Sequence, residues 1–393
     1  MRSRFWLFAL ILVVLLSSVL LAQVKTSDRI VYIGTYTERG SKGIYAYKFD
    51  EAAGSLSPLG LMAETVNPSW LALDRSGRHL YAVNEVSELD GKPSGGVTAF
   101  AVDPVTHKLK QLNQVVSGGA GPAHLSLDNT GRYVLVANYD GGSIESIRLK
   151  DDGSLGEVES VIEHKDDQPA KATDSKAAKT RVSHAHYIKA SADDRFVVVN
   201  DLGLDRVFVY RFDQATGKLT PNSPPYVRSE SGAGPRHFKF HPNGKFAYTT
   251  NELNSSVTAY RWDSQRGVLT PLQTVSAKPD DFTGKNDCSE LVVHPSGKFL
   301  YAANRGHDSV AVFAIDQEKG TLTLVERVAT RGKTPRNFNI DPTGRWLIAA
   351  NMDSDDMAVF QIDQKTGKLT WSGKQVQLPS PVCIVFAPAE GSR

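Results

Sequence analysis

The chain has 393 residues, 40% hydrophobic and 22% charged, with a formal net charge of +2. That length is ample for a large core, and the balance excludes a protein built to bind nucleic acid or another polyanion. Two cysteines, Cys288 and Cys383, are too few for a disulfide framework and are expected as free buried thiols.

The first residues stand apart. Arg2 and Arg4 precede an apolar run from Phe5 to Ala22, interrupted by Ser17 and Ser18. A basic start followed by such a run reads as a signal peptide over residues 1–22, although Leu20 is large for a cleavage site before Gln23. The protein is then expected in the periplasm or outside the cell. An uncleaved membrane anchor over residues 5–22 is the competing reading. Cleavage would remove two positive charges and no acid, leaving a neutral mature chain.

From residue 29 onward two kinds of turn alternate. Polar turns carrying Gly77, Gly131, Gly244, Gly297 and Gly344 each lead into an aromatic and aliphatic run, with a degenerate copy at 192–198. A second set runs from Asp50 to Gly54, Asp213 to Gly217, Asp316 to Gly320 and Asp363 to Gly367, with looser versions near Val102, Leu149 and Trp262. Both are hairpin signals. Between them lie runs such as Val97 to Val102 and Val310 to Ile315, whose period of two marks strands.

The unit is strand a, turn, strand b, loop, strand c, turn, strand d, recurring at roughly 50 residues, which is propeller spacing. Strand a occurs near Trp70, His124, His186, His237, Glu290, Asn337 and Cys383. Strand b begins near Val31, Leu80, Val134, Phe196, Phe246, Leu300 and Leu347. The chain opens on a b strand and closes on an a strand at 381–386. The expected fold is all-β: a single seven-bladed β-propeller over residues 29–388, with four antiparallel strands per blade. The C-terminal strand completes the N-terminal blade, because closure pairs edges that would otherwise stay open.

Antiparallel pairing puts the start of a and the end of b at the same end of a blade. In propellers strand a lines the central channel, so these positions are expected to ring one mouth. Starts of a supply Trp70, His124, His184, His186, Arg236, His237, Glu290, Arg336 and Asn337; ends of b supply Tyr36, Glu85, Tyr139, Asp201, Glu252 and Arg305, with an Asn recurring there. That Asn is too regular to be catalytic and is read as a side chain bonding the loop backbone. The long connections at 85–96, 164–183 and 277–287 fall on the same face, and 165–181 reads as a flexible loop. His241 and His294 sit at the other mouth and look structural, while His79, His107, His164 and His307 show no consistent partner.

At the expected mouth, His and Glu can act as general bases on water, and Arg can hold an anion or a developing oxyanion. The pair His184 and His186 is weak evidence for a metal, since spacing of two on a strand is common. No nucleophile elbow, P-loop or dinucleotide glycine pattern occurs, and no cofactor or metal is expected.

Several motifs together resemble the seven-bladed propeller lactonases, a family that includes bacterial propeller-type 6-phosphogluconolactonases and fungal carboxy-muconate lactonizing enzymes. They are Ile33 to Thr37, Lys42 to Tyr45, Gly121 to His124, Gly234 to His237, Asn251 with Glu252, and Ser289 with Glu290 ahead of the turn at 294–301. The resemblance implies a catalytic set of His186, Arg236, Glu252 and Arg305, with His124, His184, His237, Glu290 and Arg336 as substrate-binding neighbours. It implies hydrolysis of an anionic sugar lactone without a metal, with either Glu252 or His186 as base. A muconate-type cycloisomerase or a non-catalytic exported propeller binding sugar or protein are the alternatives. The partner is a small lactone and not nucleic acid or membrane (a possible N-terminal anchor aside); a monomer or weak dimer is expected. Phosphorylated sugar lactones are cytoplasmic, whereas this chain reads as exported, so the natural lactone stays open.

Overall fold

The period-two runs form seven four-stranded antiparallel sheets, and among the described residues there is no helix. The computed structural model describes residues 28–166 and 181–389. The expected signal or anchor at 1–22, and most of the expected flexible loop at 165–181, lie outside them. In blade 1 the C-terminal strand Pro381–Phe386 pairs with Arg29–Thr35, followed outward by Gly43–Asp50 and Ser55–Glu64. The ring closes as the repeat required. The other six innermost strands are Leu71–Leu73, Pro122–Leu127, Ala185–Ala190, Pro235–Phe240, Asp287–Val293 and Pro335–Ile340, for blades 2 to 7 in order.

Apolar alternation on both faces of each sheet gives seven buried clusters, one at each junction between neighbouring blades. The two turn families have distinct tasks at these junctions. In the c–d turn, Gly320 has φ +74°, and a Cβ there would lie 2.3 Å from the Phe246 ring of the preceding blade. Gly367 meets Phe299 in the same way. The turn therefore needs glycine both for its left-handed backbone and for flat contact with an aromatic ring. The same turn accepts a hydrogen bond from the neighbouring b strand: Tyr248 Oη donates to Gly320 O at 3.1 Å and Tyr301 Oη to Gly367 O at 2.7 Å. His241 and His294 do equivalent structural work at the a–b turns, donating to Gly297 O and Gly344 O. The Asn at the end of b bonds loop carbonyls, as Asn84 does to Val66 O and Asn138 to Ser117 O. Both cysteines are buried and free.

One irregularity recurs in the innermost strands and decides where the site lies. Near its head, strand a breaks register with strand b. The breaks fall between Pro122 and His124, Ala185 and Tyr187, Pro235 and Phe238, Cys288 and Leu291, and Pro335 and Arg336's successor Asn337. Each is a β-bulge, which leaves residues unpaired and re-aims their side chains. Consecutive residues of a strand normally point to opposite faces. Here two consecutive ones reach the channel at different depths.

Away from the channel, Glu145 is fully buried on the third strand of blade 3, between Val136 and Val161, and neither carboxyl oxygen has a hydrogen-bond partner. Burial alone pushes its pKa up from 4.5 to about 8. A pKa raised on folding gives stability that is complete below about 4.5 and lost as pH rises through about 8. Denaturation midpoints of wild type and Glu145→Gln should therefore diverge between those pH values, with wild type losing ground. Parallel profiles would mean that Glu145 is already satisfied.

Candidate active site

At the mouth where a strands begin, a cavity of about 240 Å³ is lined by Tyr36, Glu85, Ala123, Tyr139, His186, Glu252 and Arg336. Ala123, His186 and Arg336 are the bulge residues of three innermost strands; Tyr36, Glu85, Tyr139 and Glu252 follow b strands, as antiparallel pairing demands. On one wall, Glu252 is clamped between two guanidiniums. Arg236 Nε lies 2.7 Å from Oε2 and Arg305 Nη2 lies 3.0 Å from Oε1. The first contact is an ion pair without an aligned N–H, since Arg236 Nε finds no hydrogen-bond acceptor. Burial pushes the Glu252 carboxyl up, but Arg236, Arg305 and Arg336 together outweigh it and hold the pKa below its ordinary value. Burial also brings Arg236 down to about 10, still fully charged at neutral pH.

The opposite wall is built on Glu85. Its carboxylate accepts from Tyr36 Oη at 2.9 Å and from Ser69 Oγ, while Arg336 Nη2 stands 3.8 Å away, its guanidinium over the Tyr36 ring. Arg336 is thus the guanidinium that both lines the cavity and is least committed to a carboxylate. Arg236, Arg305 and Arg336 against Glu252 and Glu85 leave one unit of positive charge at this mouth.

One residue further along each strand, the channel narrows to a plug of rings. His124 contacts Trp70 at 4.4 Å and Tyr187 at 4.0 Å between centroids, and His237 lies 5.3 Å from His186. Burial, followed by neighbouring positive charges, keeps His124, His186 and His237 well below the ordinary histidine pKa, so the plug is neutral at physiological pH. The hydrogen bonds fix the His237 tautomer. Arg236 Nη1 donates to Nε2 at 3.2 Å, so Nδ1 carries the proton and donates to Glu290 Oε1 at 3.0 Å. Glu290 also accepts from Asn337 Nδ2 at 2.6 Å and Leu291 N at 2.8 Å. His237 and Glu290 therefore steady Arg236 from below.

The structure brings His186, Arg236, Glu252, Arg305 and Arg336 together at one mouth. It places His124, His237 and Glu290 a layer deeper, behind the cavity wall. His184 sits beside the cavity, stacked on Tyr139 and donating through Nδ1 to Tyr139 O at 3.0 Å. Among the described residues no three His, Cys, Asp or Glu side chains are grouped to hold a metal ion. Tyr36, Glu85 and Tyr139 line the cavity although only their place at the ends of b strands hinted at it.

One expectation is corrected. His164 has two firm partners: Nδ1 donates to Asp201 Oδ2 at 2.7 Å, and Tyr210 Oη donates to Nε2 at 2.9 Å. Ser183 Oγ meets the same Asp201 oxygen. The three elements come from separate strands and loops, which is why sequence spacing concealed them. His79 and His307 are likewise held, by Asp74 and Ser309.

Fold and site define a seven-bladed propeller with a charged small-molecule pocket at one channel mouth. The family profile described as "Lactonase, 7-bladed beta-propeller" matches residues 30–386, and the chain belongs to that family. It is 37% identical over 355 residues to a 6-phosphogluconolactonase of Bacillus subtilis, covering 90% of this chain and 97% of that one. A 6-phosphogluconolactonase of Formosa agariphila is 31% identical, covering 79% and 86%. Among solved structures, the periplasmic gluconolactonase of Pseudomonas aeruginosa superposes with a TM-score of 0.84 at 36% identity, covering 92% and 99%.

The clamp on Glu252 makes a stability prediction. Glu252→Gln leaves Arg236 and Arg305 facing each other without an acid between them, and should cost about 2–3 kcal/mol in urea unfolding, somewhat less than a fully buried pair because Glu252 is partly exposed. His186→Gln removes no ion pair, only the ring contacts of a buried imidazole with Tyr139 and His237, and should cost about 1 kcal/mol. Equal stability of the two variants would contradict the clamp.

Proposed function

We propose that the mouth cavity hydrolyses an anionic sugar lactone, with His186 as general base and no metal ion. The observation that carries this is the pairing of a neutral buried imidazole, His186, with the lightly engaged Arg336 across one small net-positive cavity. The volume, about 240 Å³, lies just below the usual range for ligand pockets and suits a ligand no larger than a single sugar ring. Glu252 is a poorer base. Each of its carboxylate oxygens already faces a guanidinium, whereas the His186 imidazole makes no ion pair among the described residues, so the role given to Glu252 is to accept hydrogen bonds from water or substrate hydroxyls.

In this reading His186 takes a proton from water as the oxygen attacks the lactone carbonyl. Arg336 stabilises the oxyanion that forms. The tetrahedral intermediate collapses with cleavage of the ring C–O bond, and the imidazolium returns its proton to the departing alkoxide. The product is the open hydroxy acid, which then ionises to its carboxylate. Arg236 and Arg305 hold Glu252 in place and contribute positive potential to the mouth.

A second reading, an unphosphorylated gluconolactone as substrate, is favoured by the basic and apolar pattern of residues 1–22 and by similarity to the periplasmic gluconolactonase. Export to the periplasm as a signal-bearing, single-domain protein belongs to this proposal. Action as a monomer or weak dimer on a small lactone belongs to this proposal as well.

The test is hydrolysis of freshly made 6-phosphoglucono-δ-lactone and of glucono-δ-lactone in EDTA, corrected for the spontaneous rate. Wild type should accelerate at least one. His186→Asn should lower kcat about 100-fold, and Arg336→Ala should lower kcat for either lactone by about 100-fold or more, because it removes the oxyanion partner. No acceleration of either lactone, or full activity in His186→Asn, would overturn the assignment. Because the folded pKa of His186 lies well below 6.5, kcat should stay flat as pH falls from 8 to about 6. An inflection near 6.5 would point to a different base.

A further inference from the structure

At the opposite mouth, below the ring plug, lies a larger cavity of about 550 Å³ that the lactone chemistry does not use. Its size is within the ordinary range for small-molecule sites. Its roof is the aromatic layer of Trp70, His124 and Tyr187, and its wall carries Lys189 and Lys239 from the ends of two neighbouring innermost strands. Asp128 also lines it, but that carboxylate is occupied by Thr130 Oγ1 and by the backbone N–H groups of Arg132 and Tyr133.

The two lysines differ in how well they are satisfied. Lys239 stands 3.5 Å from Glu290 Oε1, and its ammonium is within 5.9 Å of the Trp70 ring and 5.4 Å of the Tyr187 ring. Lys189 donates only to Leu127 O at 3.3 Å, and among the described residues it has no carboxylate in ion-pair contact. Asp194, the other acid nearby, is taken up by Asn129. Burial and the charge of Lys239 lower the Lys189 pKa. A half-buried ammonium with one carbonyl acceptor keeps two N–H groups that can be directed to water or to an anion in the cavity.

We propose that this second mouth binds a small organic anion, a phosphate or carboxylate attached to a flat ring, with the anion on Lys189 and Lys239 and the ring face against Trp70. The site is separate from the lactone cavity and does not depend on the reaction proposed there.

The probe is phenyl phosphate, titrated by calorimetry and by tryptophan fluorescence. Arg336→Ala removes competing anion binding at the upper mouth. In that background phenyl phosphate should still bind, with a fluorescence change that Trp70→Phe abolishes. Lys189→Met should weaken binding about tenfold or more, while Lys189→Arg should retain it. Circular dichroism melting shows whether each variant is folded, and loss of a half-buried charge is expected to leave the melting temperature unchanged or raised. Inorganic phosphate should bind about tenfold more weakly, because it lacks the ring. The proposal is overturned if no binding survives Arg336→Ala up to about 10 mM, if folded Lys189→Met binds like wild type, or if inorganic phosphate binds as tightly as phenyl phosphate.

Discussion

The site depends on a small defect repeated around the ring: the register break near the head of the innermost strand. A regular strand would send one residue of each neighbouring pair to the channel and the next into the blade interface. The bulge lets both reach the channel at successive depths. Ala123, His186 and Arg336 thereby line the upper cavity, while their successors His124, Tyr187 and Asn337 form the layer beneath. The blades are held rigid by interlocked junctions, so these side chains are positioned by the whole ring rather than by a mobile loop. A polar site can then be built inside a core without strand ends being free to move.

The second constraint is electrostatic. Three guanidiniums in a narrow, poorly solvated mouth repel one another and are tolerable only beside acids. Glu252 answers Arg236 and Arg305; Glu85, supported by Tyr36 and Ser69, stands nearest Arg336. Burial, joined by the same positive field, keeps His186 and His237 neutral, and that field keeps Glu252 ionised. Protonation states are therefore properties of the mouth as a unit. Under the proposed chemistry, one excess positive charge is what remains for a substrate anion.

Much of this was legible in the sequence, for physical reasons. The c–d turn needs glycine against a neighbouring ring, so Gly320 and Gly367 recur at fixed offsets and reveal the blade. The strand left over at each end, b first and a last, dictates closure. Antiparallel geometry alone gathers His186, Arg236, Glu252, Arg305 and Arg336 at one mouth. Depth was not legible, because a bulge leaves no signature in a strand of 6 or 7 residues: His237 and Glu290 read as rim residues yet lie below Arg236. Partners from distant segments were hidden too, as His164 with Asp201 and Tyr210 shows. The cavity-lining Tyr36 and Glu85 follow b strands whose ends carry many other polar side chains, and nothing local singles them out.

The most direct test of the central claim is a crystal structure of the protein with 6-phosphogluconate, the open product of the phosphorylated lactone. The new carboxylate is expected within about 3 Å of both His186 and Arg336, a hydrogen-bonding distance, with sugar hydroxyls facing Glu252. A product bound at the upper mouth with its carboxylate turned away from His186, or an upper cavity left empty at saturating product, would contradict it.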